Sequence, residues 1–490
     1  MSTPFVSLRK VSLPPPSSDD KRADLERLIE STGIEDLSIL PSLLKVLPET
    51  IRKSGFHVSL VISEIPPKKV ISVDANRCYA IALDIGSTNL VASVMEMSGQ
   101  DASEPLKREN PQVSFGRDIL TRIQLAMGGR GEELRKTLIG GINTLIQELL
   151  EENGIRPEDV YALAISANTT MAHFLHGLPV ENIPVEPYIP VAHEFPTVFA
   201  GELSIGINPD AIVYTFPNAG SYVGGDIISG ILSSGLHRKD APTVLIDVGT
   251  NAEIVIGNRD WILVGAGAAG PALEDGIFRS GKKADKGSIY KVTYNPQTGR
   301  FLYKTIGDAP PEGLCGSGVV DLIYELYSHG LIDNRGRFTD KAETVLVDGE
   351  GSLKIIPEMD IMITEREIDN FLRSKAGMFA SLAVLVHTLG LGFQDIEEIL
   401  IAGALGTGLD AGKAVALGML PDIPPRRFKP LGNTAIRGAE MLLGDVSLLK
   451  EVKEIREKIT YMEMNTSSEF MQEFPGALYI PHADPEKLRN

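Results

Sequence analysis

The sequence predicts an α/β protein built from two duplicated lobes, with a small α+β domain ahead of them. Three observations predict it. An acid-tipped turn between two apolar strands occurs twice, at Asp84 and at Asp247. Several apolar strands run into glycine-rich loops that open helices, the junctions of an α/β sheet. The 490 residues are 43% hydrophobic and 23% charged, enough apolar side chain for two or three packed cores.

The first turn lies in YAIALDIGSTNLVASVMEM, Tyr79 to Met97. Tyr79 to Leu83 reads as a buried strand and Leu90 to Met97 as its return, since both are short, β-branched-rich and bounded by turn residues. Gly86 allows backbone to approach a ligand closely. Ser87, Thr88 and Asn89 add donors beside backbone N–H groups, a concave array that favours anions and phosphate above all. Asp84 has the wrong charge for phosphate unless a cation intervenes, so the pair points to Mg-nucleotide. One such hairpin is common in many folds. The second copy, TVLIDVGTNAEIVIG from Thr243 to Gly257, changes the weighing. It places Asp247 on Asp84, Gly249 on Gly86 and Thr250 on Ser87, and internal repetition of this kind is a strong architectural signal.

Taken in order, residues 1–20 read as a loose tail around Pro14-Pro15-Pro16. Residues 21–77 read as a small linker-type domain. Its helices fall at Lys21–Thr32 and Leu40–Lys53, and its strands at His57–Ile62 and Lys69–Val73. Lobe I spans 78–240. There Glu132–Glu152 is a long amphipathic helix, and Asp159–Ala167 is a buried strand ending in the helix-capping cluster Asn168-Thr169-Thr170. Ala211–Pro217 is a strand that runs through Gly224-Gly225-Asp226 into a helix. Lobe II spans 241–430. Gly316, Ser317 and Gly318 open a helix and offer its N–H groups to an anion. Thr364–Thr388 is a long helix, and Glu398–Ala402 is a strand running into Gly403-Ala404-Leu405-Gly406. Residues 431–490 return a helix to lobe I and end in a charged, mostly helical tail.

Composition removes several function classes. A net charge of −18 and a pI near 5.0 argue against nucleic acid and anionic membranes as partners. No apolar run is long enough to span a bilayer and the N-terminus lacks a signal core. Two cysteines, Cys78 and Cys315, fit a reducing cytoplasm and cannot by themselves hold an iron–sulfur cluster, which needs four ligands. His173 and His176 stand at i, i+3 without an evident third metal ligand, so a structural role is favoured. Cys315 reads as a small buried residue rather than a redox thiol, and Lys282, Lys283 and Lys286 as a solvated basic loop. Glu274 reads as an ordinary carboxylate.

Residues 79–444 resemble the superfamily of acetate and sugar kinases, heat-shock ATPases and actin. That resemblance implies a two-lobed actin-like ATPase fold with duplicated ribonuclease-H-like lobes. It also implies ATP and Mg²⁺ held in the cleft, with Asp84 and Asp247 as catalytic and metal-holding residues. The turns Gly86-Ser87-Thr88-Asn89 and Gly249-Thr250-Asn251 would bind phosphate, and the Gly403 to Gly406 segment would form the adenosine turn. Ala404 departs from the glycine that many members carry. Glu253 is placed either as a water-polarising group or as a solvated strand carboxylate.

A narrower set of motifs resembles the reductive activators of corrinoid proteins. It comprises Asn110-Pro111-Gln112 with Phe115-Gly116 and Asp118, Asn168-Thr169-Thr170-Met171, Gly249-Thr250-Asn251-Ala252-Glu253, Ala269-Gly270-Pro271-Ala272, Cys315-Gly316-Ser317-Gly318 and Gly432-Asn433. The resemblance implies ATP-dependent reduction of cob(II)alamin to cob(I)alamin in a methyltransferase system, with a corrinoid protein as partner. Members carry an iron–sulfur domain that two cysteines cannot supply, so a separate low-potential electron donor is expected. A homodimer is also expected. A small-molecule kinase of the same superfold and a nucleotide-gated scaffold are the alternatives.

Overall fold

The structure is a computed structural model that describes all residues except 1, 100, 250–251, 268–277, 348–349, 404–407 and 465–466. It divides into two units, Met1–Ser233 with Ala435–Glu457, and Ser234–Thr434 with Lys458–Asn490.

Unit 1 begins with a four-stranded sheet in the order β1-β3-β4-β2, formed by β1 (Val6–Ser12), β2 (Ser38–Ile39), β3 (His57–Ser63) and β4 (Lys69–Val73). The stretch expected as a loose tail therefore contains a strand. Val6 to Ser12 pairs antiparallel with β3 along its whole length, and Phe5 and Val6 are fully buried. Its serines, arginine and lysine hid the strand, because its ladder partners lie in β3, from Ser63 opposite Val6 to His57 opposite Ser12. The helices α1 (Asp24–Thr32) and α2 (Leu47–Lys53) cover one face, where Leu28 and Ile51 pack with Leu60 and Ile62.

The second sheet of unit 1 contains β5 (Tyr79–Ile85), β6 (Asn89–Glu96), β7 (Leu106–Glu109), β8 (Val160–Ala167), β9 (Val198–Phe199) and β10 (Ile212–Thr215). Its order is β7-β6-β5-β8-β10-β9. β5, β6 and β7 form an antiparallel meander, and β8 and β10 continue parallel to β5. Every residue of β8 is buried, as a central strand covered on both faces requires. Between the meander and β8 come α3 (Ile119–Leu125) and α4 (Gly131–Asn153). Leu134, Leu138, Ile142, Leu145 and Leu149 recur at helical spacing along α4 and bury its inner face.

After β8, Asn168 caps α5 (Thr169–His176), its Oδ1 accepting from the Met171 N–H at 2.9 Å. Both histidines of α5 have structural partners. His173 Nδ1 lies 2.7 Å from the Thr169 carbonyl, and His176 stacks on Phe195 with Nε2 3.0 Å from Thr215 Oγ1. Burial, reinforced by His173 and Arg135, pushes the His176 pKa down to about 4. An unfolded histidine takes up its proton near pH 6.5, so folding is favoured fully above that value and progressively less towards pH 4. Unit 1 is expected to lose about 3 kcal/mol through this residue between pH 6.5 and 4. Urea titrations at pH 7 and pH 4.5 should show a steeper loss for the wild type than for His176→Gln; equal losses would refute the assignment.

β10 leads into α6 (Gly225–Ser234). Unit 2 then repeats the plan of unit 1. β11 (Thr243–Val248), β12 (Ala252–Gly257) and β13 (Ile262–Gly267) form an antiparallel meander. The hairpin β14 (Ser288–Asn295) and β15 (Arg300–Thr305) follows, with β16 (Gly313–Leu314) pairing to β14. Next come α7 (Gly316–Ser328), the three-stranded sheet β17 (Thr344–Val347), β18 (Glu350–Ile356) and β19 (Ile361–Thr364), and α8 (Glu365–Thr388). Finally β20 (Glu398–Gly403), α9 (Ala411–Ala416) and β21 (Phe428–Gly432) return the chain to the main sheet. β20 and β21 run parallel to β11, as β8 and β10 run parallel to β5. The duplication seen in two turns thus extends to two five-stranded plans.

The chain then returns to unit 1 through α10 (Thr434–Gly444) and most of α11 (Leu448–Lys458), and re-enters unit 2 with β22 (Ile459–Glu463) and α12 (Ser468–Ala477). β22 was hidden in a stretch that reads as charged and helical. It adds parallel to β13 as the edge strand of the sheet, completing the order β21-β20-β11-β12-β13-β22.

Candidate functional site

In unit 1 the first acid-tipped turn is held from below by two asparagines. The Gly86 N–H donates to the Asn89 carbonyl at 2.9 Å and closes the turn. Asn110, fully buried, donates from Nδ2 to the Gly86 carbonyl at 2.9 Å and from its backbone N–H to the Thr88 carbonyl at 2.8 Å. Asn168 donates from Nδ2 to Ser87 Oγ at 3.1 Å while capping α5. Asn110 and Asn168 were read in the sequence only as parts of motifs. Here they orient the turn.

Asp84 lies one residue from the end of β5, opposite Val91 on one side and Ser166 on the other, and is partly exposed. The start of α6 brings a second carboxylate into its field. Asp226 accepts from the Ile227 N–H at 2.9 Å. Desolvation first, and then the charge of Asp84, push the Asp226 carboxyl up to about 7. The two preceding glycines make this approach possible. A Cβ on Gly224 would lie 2.5 Å from Asn168 Cα, and one on Gly225 would lie 2.7 Å from the Phe216 carbonyl. Asp226 was not among the site residues expected from sequence. The signal was present as a strand, two glycines and an acid at a helix start, but its meaning depends on β8 and β10 ending side by side.

In unit 2, Asp247 occupies the matching place one residue from the end of β11. It stands directly opposite Glu253 on β12 and Ala402 on β20. Residues directly opposite on an antiparallel pair face the same way, and like charges so placed are destabilising on their own. Gly403, at φ +76°, comes so close that a Cβ would lie 2.5 Å from Asp247 Oδ1. Gly408, just beyond the undescribed 404–407, lies against Ser317, whose Oγ would be 3.0 Å from a Cβ there. Gly249 sits at the tip, whereas Thr250, Asn251 and Gly406 lie outside the described residues, as does Glu274. Gly316, Ser317 and Gly318 form the first turn of α7. Gly318 has a packing reason to be glycine, since a Cβ would overlap the Ile289 carbonyl of β14. Cys315 is buried, its thiol 3.3 Å from that same carbonyl. Lys282 is engaged by Glu312 and Asp285.

Each unit therefore sets a second acid beside the carboxylate near the end of β5 or β11, Asp226 of α6 in unit 1 and Glu253 of β12 in unit 2, and among the described residues no three His, Cys, Asp or Glu side chains form a metal cage. Such a donor set fits Mg²⁺, which keeps most of its water and takes one or two carboxylates plus phosphate.

Three family models tile the chain. The RACo linker region matches residues 2–78, the RACo middle region 79–239, and the C-terminal ASKHA domain of RACo 241–490. The chain belongs to the RACo family. Its fold is the actin-like ATPase fold with duplicated ribonuclease-H-like lobes behind a small N-terminal α+β domain. Among curated relatives, this RACo chain is 30% identical to the corrinoid activation enzyme RamQ of Eubacterium limosum over 476 residues, covering 89% of this chain and 79% of that one. It is 27% identical to the [Co(II) methylated amine-specific corrinoid protein] reductase of Methanosarcina barkeri over 270 residues, covering 51% of this chain and 48% of that one. Among solved structures, the reductive activator for corrinoid, iron–sulfur protein superposes with a TM-score of 0.93 at 34% identity, covering 99% of this chain and 80% of that one. No described helix of the RACo chain is long and apolar enough to cross a membrane.

Proposed function

We propose that this chain binds and hydrolyses Mg-ATP in order to activate a corrinoid protein of a methyltransferase system. The observation that carries the proposal is the tiling of residues 2–490 by the three RACo models around two acid-tipped turns. When bound, Mg²⁺ supplies charge neutralisation to the phosphates. Asp84 and Asp247 would hold Mg²⁺ through its waters. The Gly86–Asn89 turn and the Gly249–Asn251 turn receive phosphate oxygens, and the N–H groups of Gly316, Ser317 and Gly318 offer further donors. Gly403 and Gly406 would border the adenosine. Glu253 or Asp226 would orient the attacking water and take its proton, so that ATP and water give ADP and phosphate.

The corrinoid step takes one electron, from cob(II)alamin to cob(I)alamin. Cys78 and Cys315 are both buried, and burial pushes the Cys78 thiol up to about 12, which suits neither to carrying an electron. A separate low-potential donor supplies the electron, in the reducing compartment that such thiols suit, the cytoplasm.

Phosphate release is expected to rise severalfold when cob(II)alamin-loaded corrinoid protein from the same methyltransferase system is added. Turnover that ignores this protein but requires a small acceptor would replace the proposal with a kinase; nucleotide binding without turnover would replace it with a scaffold.

A further inference from the structure

We propose that the proline-rich loop of residues 178–197 in unit 1 is the surface that receives the corrinoid protein, and that its contacts relay docking to the Asp226 corner. This rests on the function proposed above.

The loop presents unusually large apolar side chains to solvent. Ile189 is 59% exposed, Val191 55% and Val185 52%. Tyr222 lies beside them, its ring edge-on to Tyr188 at 5.6 Å. Apolar groups concentrated in one loop mark an interaction surface more often than a scattering of single residues does. Their rim is acidic. Glu186 is exposed and Glu181 partly so, and neither takes part in an ion pair among the described residues. The neighbouring Arg456 is committed to Glu194 and to the Asn218 carbonyl.

That rim selects the occupant. A second copy docking through the same patch would set these carboxylates against themselves, because a two-fold interface repeats each residue on both sides. The chain as a whole carries −18. The complementary face is therefore apolar with a lysine or arginine border, carried by a different protein.

The loop is tied by hydrogen bonds to the segment that leads into α6. The Asn218 N–H donates to the His193 carbonyl at 2.7 Å, Asn218 Nδ2 donates to the Ala192 carbonyl at 3.4 Å, and Ser221 Oγ donates to the Tyr188 carbonyl at 2.7 Å. Val223, Gly224 and Gly225 then run directly to Asp226. The junction is not fully satisfied. Oδ1 of Asn218, a fully buried residue, and the buried Nδ1 of His193 have no hydrogen-bond partner among the described residues. A buried polar atom without a partner is costly, so a rearrangement that satisfies it is cheap at this place. Docking on the loop can thus shift 218–222 and with it the carboxylate beside Asp84.

The test uses the full chain and cob(II)alamin-loaded corrinoid protein. One double variant is Val185→Asp with Ile189→Asp; another is Glu181→Lys with Glu186→Lys. Calorimetric titration should show affinity lowered about tenfold or more in the first, the scale of losing a hot-spot group. The charge-reversed variant should bind severalfold more weakly at low salt and approach wild type near about 0.5 M salt, where screening is short-ranged. Basal ATPase should stay within about twofold in both, which also reports folding. Ser221→Ala should bind as wild type yet lose most of the stimulation; full stimulation would remove the relay. Wild-type affinity in both double variants would overturn the surface alone. Failure of wild type to bind any corrinoid protein would overturn the proposed function and this surface together. Self-association that the variants abolish would assign the patch to a second copy and overturn the proposal.

Discussion

Replacing Asp247 by alanine is expected to lower Mg-ATP hydrolysis about a hundredfold or more, the scale of losing one preorganised electrostatic group. Asp84→Ala should match it. The reason is positional. Both carboxylates stand one residue before the end of the first strand of a five-stranded plan, and both face a second acid, Glu253 opposite Asp247 and Asp226 in the field of Asp84. Removing Asp247 or Asp84 takes away like-charge repulsion along with the carboxylate's other contacts, so the variants should remain folded. Lost activity with unchanged or raised thermal stability would separate a site role from a structural one. Steady-state phosphate release measures the first and thermal unfolding the second. Wild-type-like turnover in both variants would remove these residues from the site.

The largest effect on stability is expected at Gly418. Its φ of +73° favours glycine, and a Cβ there would overlap the Pro481 carbonyl. That carbonyl accepts from Lys375 Nζ at 2.8 Å, which also donates to the Tyr479 carbonyl at 2.5 Å. Lys375 is completely buried in the middle of α8, and burial pushes its pKa down to about 7. Its ammonium thus pins the C-terminal segment, which the Tyr327 hydroxyl also reaches through the Ile480 carbonyl at 3.2 Å. Gly418→Ala combines left-handed strain, overpacking and a disturbed buried donor. Together these are worth about 4 kcal/mol, summing the usual costs of each. Urea unfolding of unit 2 should show it, with residues 478–490 becoming sensitive to protease before the rest. A loss below about 1 kcal/mol would mean the segment accommodates the methyl group and is not clamped there.

The two acid-tipped turns were legible in the sequence because their signal is local. A short apolar strand, an acid, a glycine and a returning strand lie between Tyr79 and Met97, and the second copy repeats the pattern between Thr243 and Gly257. What stayed hidden depends on distant partners. β1 reads as polar and finds its apolar anchorage only against β3. β22 is a half-exposed edge strand whose ladder partner, β13, lies about 200 residues earlier in the chain. Asp226 gains its meaning from Gly224 fitting against Asn168. Gly318, read as a phosphate-loop glycine, is also demanded by the Ile289 carbonyl. The asparagines that orient the first turn, Asn110 and Asn168, look like turn and cap residues in sequence; their second bonds, to Gly86 and Ser87, exist only in the fold.

The central claim is that nucleotide bound to this chain changes the state of a corrinoid. Cob(II)alamin-loaded corrinoid protein should be titrated with the chain, with and without Mg-ATP, while the cobalt absorption and electron spin resonance are followed. The account predicts a change in cobalt axial ligation that needs the chain, and cob(I)alamin formation from an added low-potential donor that needs Mg-ATP as well. A cobalt signal indifferent to the chain, with cob(I)alamin forming equally without it, would contradict the account.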